Sequence, residues 1–279
     1  MARLNLNAAP SNLRLLGNLE QFRIQNWDNL VHLDVANTSL SVCGQIFRDA
    51  PNLVSCSLRE SWLTTTATHT APFEYSSLQK LALFQVGLAF WDLFTLPALR
   101  ELSISESLEG DDEDRTSFNN FLVRSKCPLE AFKFSEFRSS EEGFIRILDH
   151  VPNISRLKFR YLDLSDLFFH HISVATSIPG DVVPLLGNLM AFEYDFPSEH
   201  AFTWPAVAHF VSLRCGGRGV KDNLRSVKLR AFATSVVFPQ EEVEAVIEVQ
   251  DLGTILEAAN GIELSIRDTR GNVVVKHDI

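Results

Sequence analysis

Two features of the sequence could support chemistry on a small ligand. The run from Cys215 to Gly219 (CGGRG) could let backbone N–H groups approach a phosphate. It lacks the Lys-Ser/Thr pair of a nucleotide-binding loop, and no strand and helix are predicted to flank it, so a plain turn is favoured. Cys127 could act as a nucleophile, but it precedes Pro128 at a predicted helix–strand junction, which favours packing over catalysis.

A metal site would require ligands that converge on one point. His170 and His171 are adjacent in the chain, and Asp163 and Asp166 precede them. Neighbouring residues on a strand or a helix point in different directions, and no second Cys or His pair has the spacing of metal ligands. We therefore predict no metal, no cofactor and no catalytic residue, and we expect that the protein is not an enzyme.

Charged side chains at alternating positions could instead bind a macromolecule. Lysine and arginine bind carboxylates and phosphates, and arginine can do so through two hydrogen bonds at once. The alternative is that these charges only keep an exposed sheet soluble. The residues predicted to contact a partner are Lys133, Arg156, Lys158, Arg160, Glu193, Asp195, Lys228 and Arg230.

The placement of these side chains depends on a repeated pattern, apolar-x-x-apolar-x-apolar. Its starts are separated by 21 to 35 residues. The shorter spacings are typical of leucine-rich repeats of roughly 20–29 residues, and the longer ones indicate insertions. The pattern begins at Leu30, Leu53, Leu78, Leu99, Leu129, Ile154, Leu189 and Leu224.

Each copy of the pattern predicts a short strand whose fourth and sixth residues point into a core, while the third, fifth and seventh residues point outward. The segments between copies have helical spacing. Helices are predicted to start near Ser39, at Thr116 or Ser117, and at a capping box formed by Ser139 and Glu142. Strands stacked in parallel and joined by helices predict an α/β leucine-rich-repeat solenoid, with a curved parallel sheet on the concave face and helices on the convex face.

The repeats predict one leucine-rich-repeat domain over residues 1–279. Residues 1–27 would form an incomplete repeat or cap, residues 28–232 about eight repeats, and residues 233–279 a C-terminal cap region. No asparagine ladder occupies the ninth repeat position, so we expect an irregular solenoid held by side-chain packing. The acidic run from Glu106 to Asp114 is predicted to be a solvated loop.

Composition and charge narrow the classes of partner. Hydrophobic residues make up 46% of the chain and charged residues 22%, as in ordinary folded proteins. The formal net charge of −10 argues against binding to nucleic acid or to anionic membranes. The N-terminus lacks the apolar core of a secretory signal, and the four cysteines lack paired spacing. We expect a cytoplasmic or nuclear protein with reduced cysteines.

The amino-acid sequence of the repeats resembles the leucine-rich region of the large F-box protein families of mushroom-forming fungi. The resemblance extends over nearly the whole chain. It rests on five stretches: WDNLVHLDV (Trp27 to Val35), APNLVSCSL (Ala50 to Leu58), FLVRSKCPLEAFKF (Phe121 to Phe134), VSLRCGGRGVKDNLRSVKL (Val211 to Leu229) and GIELSIRD (Gly261 to Asp268).

The resemblance implies a receptor for a protein substrate. In that family, an N-terminal F-box docks on the Skp adaptor of a cullin-type ubiquitin ligase, and the repeats receive the substrate. These 279 residues contain no F-box segment, so we expect either a truncated product or a natural paralogue without an F-box. The expected partner is an acidic or phosphorylated protein. The Skp adaptor is expected only if the full gene product carries an F-box, and a stand-alone scaffold or decoy without a ubiquitin link is the alternative.

Overall fold

The computed structural model describes residues 4–6, 8–16, 22–61, 72–86, 89–105, 112–135, 141–173, 175–178, 181–184, 186–197, 201–216, 224–232, 263–267 and 273–277. The chain forms two compact units, Met1–Leu129 and Glu130–Ile279. Both units combine parallel strands with helices, which confirms the predicted α/β class. The single-domain organisation stays a prediction.

The first unit contains nine strands and three helices within its described residues. The strands are β1 (Leu4–Leu6), β2 (Asn12–Leu16), β3 (Phe22–Ile24), β4 (His32–Ala36), β5 (Ser55–Arg59), β6 (Phe73–Glu74), β7 (Lys80–Phe84), β8 (Phe94–Thr95) and β9 (Glu101–Ser105). The helices are α1 (Leu40–Asp49), α2 (Ala89–Leu93) and α3 (Asp112–Ser125). Strands β2, β4, β5, β7 and β9 pair in that order, all in parallel.

The second unit repeats this arrangement with longer insertions. Its described strands are β10 (Ala131–Ser135), β11 (Arg156–Arg160), β12 (Ala175–Ile178), β13 (Asp181–Pro184), β14 (Ala191–Pro197), β15 (Ser226–Phe232), β16 (Glu263–Arg267) and β17 (Val273–His277). Its helices are α4 (Glu141–Asp149), α5 (Asp166–Ser173) and α6 (Trp204–Gly216). Strands β10, β11, β14, β15 and β16 are parallel neighbours, β17 is antiparallel to β16, and β12 pairs with β13.

The core lies where the repeated pattern predicts it. At all eight copies, the first, fourth and sixth residues are buried. In the second unit, aromatic rings join the strands to the helices: Phe159 of β11 packs against Phe144 of α4 and Phe168 of α5, and Phe192 of β14 packs against Phe210 of α6. Strand and helix therefore bury each other's apolar face, and each helix holds a strand in place.

The backbone has the same hydrogen-bond pattern at the start of seven strands, β4, β5, β7, β9, β11, β14 and β15. Two successive N–H groups donate to a single carbonyl of the preceding turn: Val54 and Ser55 donate to Val31, Ser155 and Arg156 donate to Glu130, and Met190 and Ala191 donate to Ser155. Because these donors recur at the same position in seven of the eight copies, these strands begin in register. The outward residues are consequently aligned in rows across the sheet.

The backbone at the end of each strand is equally regular. Asn37, Glu60, Gln85 and Tyr161 follow β4, β5, β7 and β11, and all four have φ between 49° and 58°. Each donates its backbone N–H to the carbonyl of the residue at the seventh position of the next copy, for example Gln85 to Ser105 at 2.9 Å. Residues other than glycine seldom adopt this left-handed conformation, so the hydrogen bond to the next strand is needed to hold the turn.

Two buried tyrosines bind the backbone of the preceding turn. The hydroxyl of Tyr194 donates to the Leu162 carbonyl at 2.8 Å and accepts from the Leu164 N–H at 3.2 Å. The hydroxyl of Tyr75 donates to the Ala50 carbonyl at 2.5 Å and accepts from the Leu53 N–H at 3.1 Å. These bonds satisfy buried polar groups between neighbouring turns, the role that an asparagine ladder has in regular leucine-rich repeats.

Several local predictions need correction. Helix α3 begins at Asp112, so Thr116 and Ser117 lie inside it, and the Ser117 hydroxyl instead donates to Asp92 at 3.1 Å. The end of the acidic run is thus helical; acidic residues favour the first turn of a helix, which makes them a better start signal than Ser117. Residues 106–111 and the predicted cap Ser139 lie outside the described residues. Helix α1 begins as predicted, with Ser39 as its N-cap.

Candidate functional site

The eight residues predicted to contact a partner all lie on strands β10, β11, β14 and β15 of the second unit. The strand register places Lys133, Lys158, Glu193 and Lys228 in one row, each directly opposite the next. A second row contains Arg160, Asp195 and Arg230. Neighbouring strands are about 4.8 Å apart, so side chains in a row can contact each other. The sheet therefore brings the predicted charges together on one face.

Lys158 and Glu193 form the closest ion pair of this face. Lys158 Nζ lies 2.5 Å from Glu193 Oε2, and the two side chains remain 34% and 35% exposed. Burial alone would raise the pKa of Glu193, but the hydrogen bond from Lys158 and the positive charges of Lys158, Lys228 and Arg230 outweigh it and lower that pKa. Glu193 is consequently ionised at neutral pH and is held by cations on both neighbouring strands.

Asp195 lies between two arginines. Its Oδ2 is 2.9 Å from Arg160 Nε, and its Oδ1 is 3.8 Å from Arg230 Nε. Asp195 occupies the seventh position of its copy, which was predicted to face outward, but this residue is only 7% exposed. The arginine side chains cover the carboxylate and compensate its burial. Asp195 therefore positions the arginines, and it is poorly placed to contact a partner directly.

Lys133 has a different environment from the other cations. It is half-buried at the centre of β10, directly opposite Lys158. Burial lowers the pKa of Lys133, and the like charges of Lys158 and Arg160 lower it further, more than Asp195 and Glu193 raise it. Among the described residues, no carboxylate lies within the 4.0 Å ion-pair distance of its amino group. An anion placed here would relieve the repulsion between the cations.

The charge of this face is opposite in sign to that of the whole chain. The eight residues comprise six cations and two carboxylates, a balance of +4, in a protein of net charge −10. The sheet of the first unit is closer to neutral. Its strands present Arg14, Arg59 and Lys80 against Asp34 and Glu101, and all five take part in ion pairs of 3.0 to 3.1 Å. The excess of positive charge is thus concentrated on the sheet of the second unit.

Sequence reasoning missed Tyr161, which borders this face. It follows the last residue of β11 with φ 58° and is 41% exposed. The guanidinium carbon of Arg160 lies 5.1 Å from the centre of its ring, and Arg160 Nη2 donates to its hydroxyl at 3.3 Å. Its position directly after Arg160, the last outward residue of a predicted strand, was the sequence signal that could have identified it. Its ring extends the charged face with an aromatic edge.

The histidines considered as metal ligands have separate environments in the structure. His170 and His171 lie on α5, where His170 is exposed and His171 Nε2 is 3.6 Å from Asp149 Oδ1. The Asp166 carboxylate accepts hydrogen bonds from the backbone and hydroxyl of Thr203, so it serves the start of the next helix. Within the ranges that the structure describes, no group of three or more His, Cys, Asp or Glu side chains could hold a metal ion.

The thiols are in environments that disfavour the thiolate. Burial raises the pKa of Cys127 to about 11 and that of Cys43 to about 12, and it raises the pKa of Cys56 as well. A thiol with so high a pKa is almost fully protonated at neutral pH and is a poor nucleophile. In the glycine-rich run, Cys215 and Gly216 end α6, whereas residues 217–219 lie outside the described part of the chain.

Comparison with known proteins leaves the site to be interpreted from its own geometry. Neither a scan against models of protein families nor a search of curated proteins finds a match. Across the described ranges, no helix has both the length and the apolar character needed to span a bilayer.

Proposed function

We propose that this chain is a leucine-rich-repeat protein that binds another protein through the charged sheet face of its second unit and has no enzymatic activity. One observation carries this proposal: the eight predicted strands all form, and their outward residues share a register that concentrates six cations on four neighbouring strands. Rows of aligned polar side chains on a parallel sheet are the means by which repeat proteins bind extended partners.

The repeated backbone geometry supports the leucine-rich-repeat assignment. Seven of the strands start with a paired N–H donation to one carbonyl, and a left-handed residue follows four of the strands. Such recurrence is expected when each copy packs only against its neighbours and each must present the same edges to the next. The raised thiol pKa values favour binding over thiol chemistry.

Within this function, the resemblance to fungal F-box proteins favours a substrate receptor of a cullin-type ubiquitin ligase. The sheet face would select the substrate, and an F-box in the full gene product would dock on the Skp adaptor. The rival proposal is a stand-alone scaffold or decoy that uses the same face without any link to ubiquitin. Both proposals require a protein partner that is acidic or phosphorylated.

Co-purification of the product of the longest native transcript separates the two proposals. The tagged protein is isolated from its own cells, and mass spectrometry scores the Skp adaptor and a cullin against the tag alone. Recovery of both supports the receptor, whereas recovery of neither supports the scaffold. The matched variant Lys133→Gln should retain the adaptor but lose acidic or phosphorylated partners, because the F-box and the sheet face are separate surfaces. If wild type and variant recover the same proteins, the sheet face is not the binding surface.

A further inference from the structure

Strands β10 and β11 have complementary outward faces. The outward residues of β10 are Ala131, Lys133 and Ser135, and those of β11 are Arg156, Lys158 and Arg160. Lys133 is half-buried, Ala131 on one side of it is partly exposed, and Ser135 on the other side is buried. The neighbouring strand contributes three long cationic side chains. We call the half-buried surface formed by Lys133, Lys158 and Arg160 the basic recess.

The two carboxylates of this face lie on the other side of β11. Glu193 and Asp195 belong to β14, and they contact Lys158 and Arg160 from that direction. The outward residues of β10 include no acidic residue. Among the described residues, Lys133 itself takes part in no ion pair with these carboxylates, so a negatively charged group beside it would reduce the repulsion from Lys158 and Arg160.

We infer that the recess formed by Lys133, Lys158 and Arg160 binds a single phosphoryl group carried by a segment of the partner protein. This inference rests on the proposed function and specifies its ligand. A phosphoryl group carries nearly two negative charges and three acceptor oxygens, which suits several converging donors better than a lone carboxylate does. Arginine supplies paired donors and lysine a point charge, the usual combination for this group.

The same geometry disfavours a continuous polyanion such as RNA or DNA. Nucleic-acid binding gains its affinity from many phosphates that are neutralised along a basic track. On this sheet, a chain of phosphates leaving the recess across the strands would meet Glu193 and Asp195 before reaching Lys228 and Arg230. An isolated phosphoryl group avoids these carboxylates, because it can remain over β10 and β11.

The test measures binding of one peptide sequence in three forms to the full chain. The peptide alternates glycine with aspartate and carries phosphoserine, serine or aspartate at its centre, and affinity is measured at two salt concentrations. The variants are Lys133→Gln, Lys133→Arg and the control Lys80→Gln, which removes an outward lysine of β7 that is paired with Glu101 at 3.1 Å. Thermal melts accompany each variant, and a single-stranded oligonucleotide is the competing probe.

We expect the phosphopeptide to bind about tenfold more tightly than the serine form. Lys133→Gln should weaken phosphopeptide binding by about tenfold, and Lys133→Arg should retain most of the wild-type affinity. Lys80→Gln should bind like wild type, and affinity should fall as salt rises. Equal binding of the phosphoserine and aspartate forms would overturn the phosphoryl assignment, and tighter binding of the oligonucleotide would overturn the partner class. If no peptide binds while the full gene product still recovers the Skp adaptor and cullin, the recess is wrong and the proposed function stands.

Discussion

Glu141 and Phe168 are joined across neighbouring helices, because Glu141 Oε1 accepts a 3.0 Å hydrogen bond from the backbone N–H of Phe168. The same carboxylate accepts from the backbone and the hydroxyl of Ser165. The first turn of α5 is therefore capped by a residue from the start of α4. Unsatisfied N–H groups at the start of a helix destabilise short helices, and here the carboxylate of Glu141 on the preceding helix accepts hydrogen bonds from two of them.

Replacement of the Glu141 carboxylate should lower the stability of the protein. We expect Glu141→Gln to lower the free energy of unfolding by about 1–2 kcal/mol, because an amide has one acceptor oxygen where the carboxylate has two. Urea unfolding followed by circular dichroism measures the change. The matched control is Glu142→Gln, the next residue of the same helix, which is exposed and should change stability by less than about 0.5 kcal/mol. Equal losses in both variants would show that the cap contributes nothing.

The left-handed turn after β7 gives a second stability prediction. Gln85 has φ 52° and an exposed side chain. A β-branched residue is disfavoured in this conformation, so Gln85→Val should destabilise the protein by about 1–2 kcal/mol. Gln85→Ala reports the loss of the side chain alone, and Gln85→Gly should be near neutral, since glycine relieves the conformational cost but loses more entropy on folding. The measurement is again urea unfolding, and a stable Gln85→Val variant would contradict the turn geometry.

The main strands could be predicted from sequence because each depends on local alternation. Leu33 and Val35 are buried where the pattern puts them, and the intervening Asp34 points outward. Strand β2 has the same alternation at Leu13 and Leu15. It lacks the complete apolar-x-x-apolar-x-apolar pattern, so the sequence did not predict it. Strands β16 and β17 were likewise not predicted inside the region assigned as a C-terminal cap.

The contacts of the candidate site could be predicted only in part. Alternation placed Lys158 and Glu193 on one face, yet they are 35 positions apart, and their pairing requires the exact register of β11 against β14. The burial of Asp195 is also a property of neighbouring strands, since arginines on both sides cover it. The hydrogen bond from Ser165 to Glu141 likewise joins residues that are far apart in sequence. Local patterns identify which residues face outward, whereas long-range register decides which of them pair.

The buried thiols predict a loss of stability at alkaline pH. The ordinary pKa of a cysteine thiol is 9.0, and that of Cys43 is raised to about 12 in the folded chain. Between these values the unfolded state holds fewer protons than the folded state, so stability present below pH 9 falls as pH rises. One such thiol contributes a slope of at most about 1.4 kcal/mol per pH unit. Cys56, also buried with a raised pKa, adds to the slope.

Urea unfolding between pH 8 and pH 10.5 measures this slope. The variant Cys43→Ala starts from a lower stability because it leaves a small cavity, but its stability should fall less steeply with pH than that of wild type. The comparison uses slopes, so the cavity does not affect it. Parallel curves for wild type and variant would mean that Cys43 ionises equally readily in the folded and unfolded states.

The charged face gives a last prediction, in which removal of a contact strengthens binding. Glu193 pairs with Lys158 at 2.5 Å and therefore competes with a ligand for the ammonium group of Lys158. In Glu193→Gln, Lys158 keeps its charge and is freed from a competing carboxylate, so the phosphopeptide should bind several-fold more tightly. The Lys158 and Glu193 side chains are 34% and 35% exposed, so loss of the pair should reduce stability by no more than about 1 kcal/mol. The control Asp34→Asn breaks the pairs with Arg14 and Arg59 in the first unit, at 3.1 and 3.0 Å, and should leave phosphopeptide affinity unchanged. Weaker binding by Glu193→Gln would show that the carboxylate orients Lys158 for the ligand and does not compete with it.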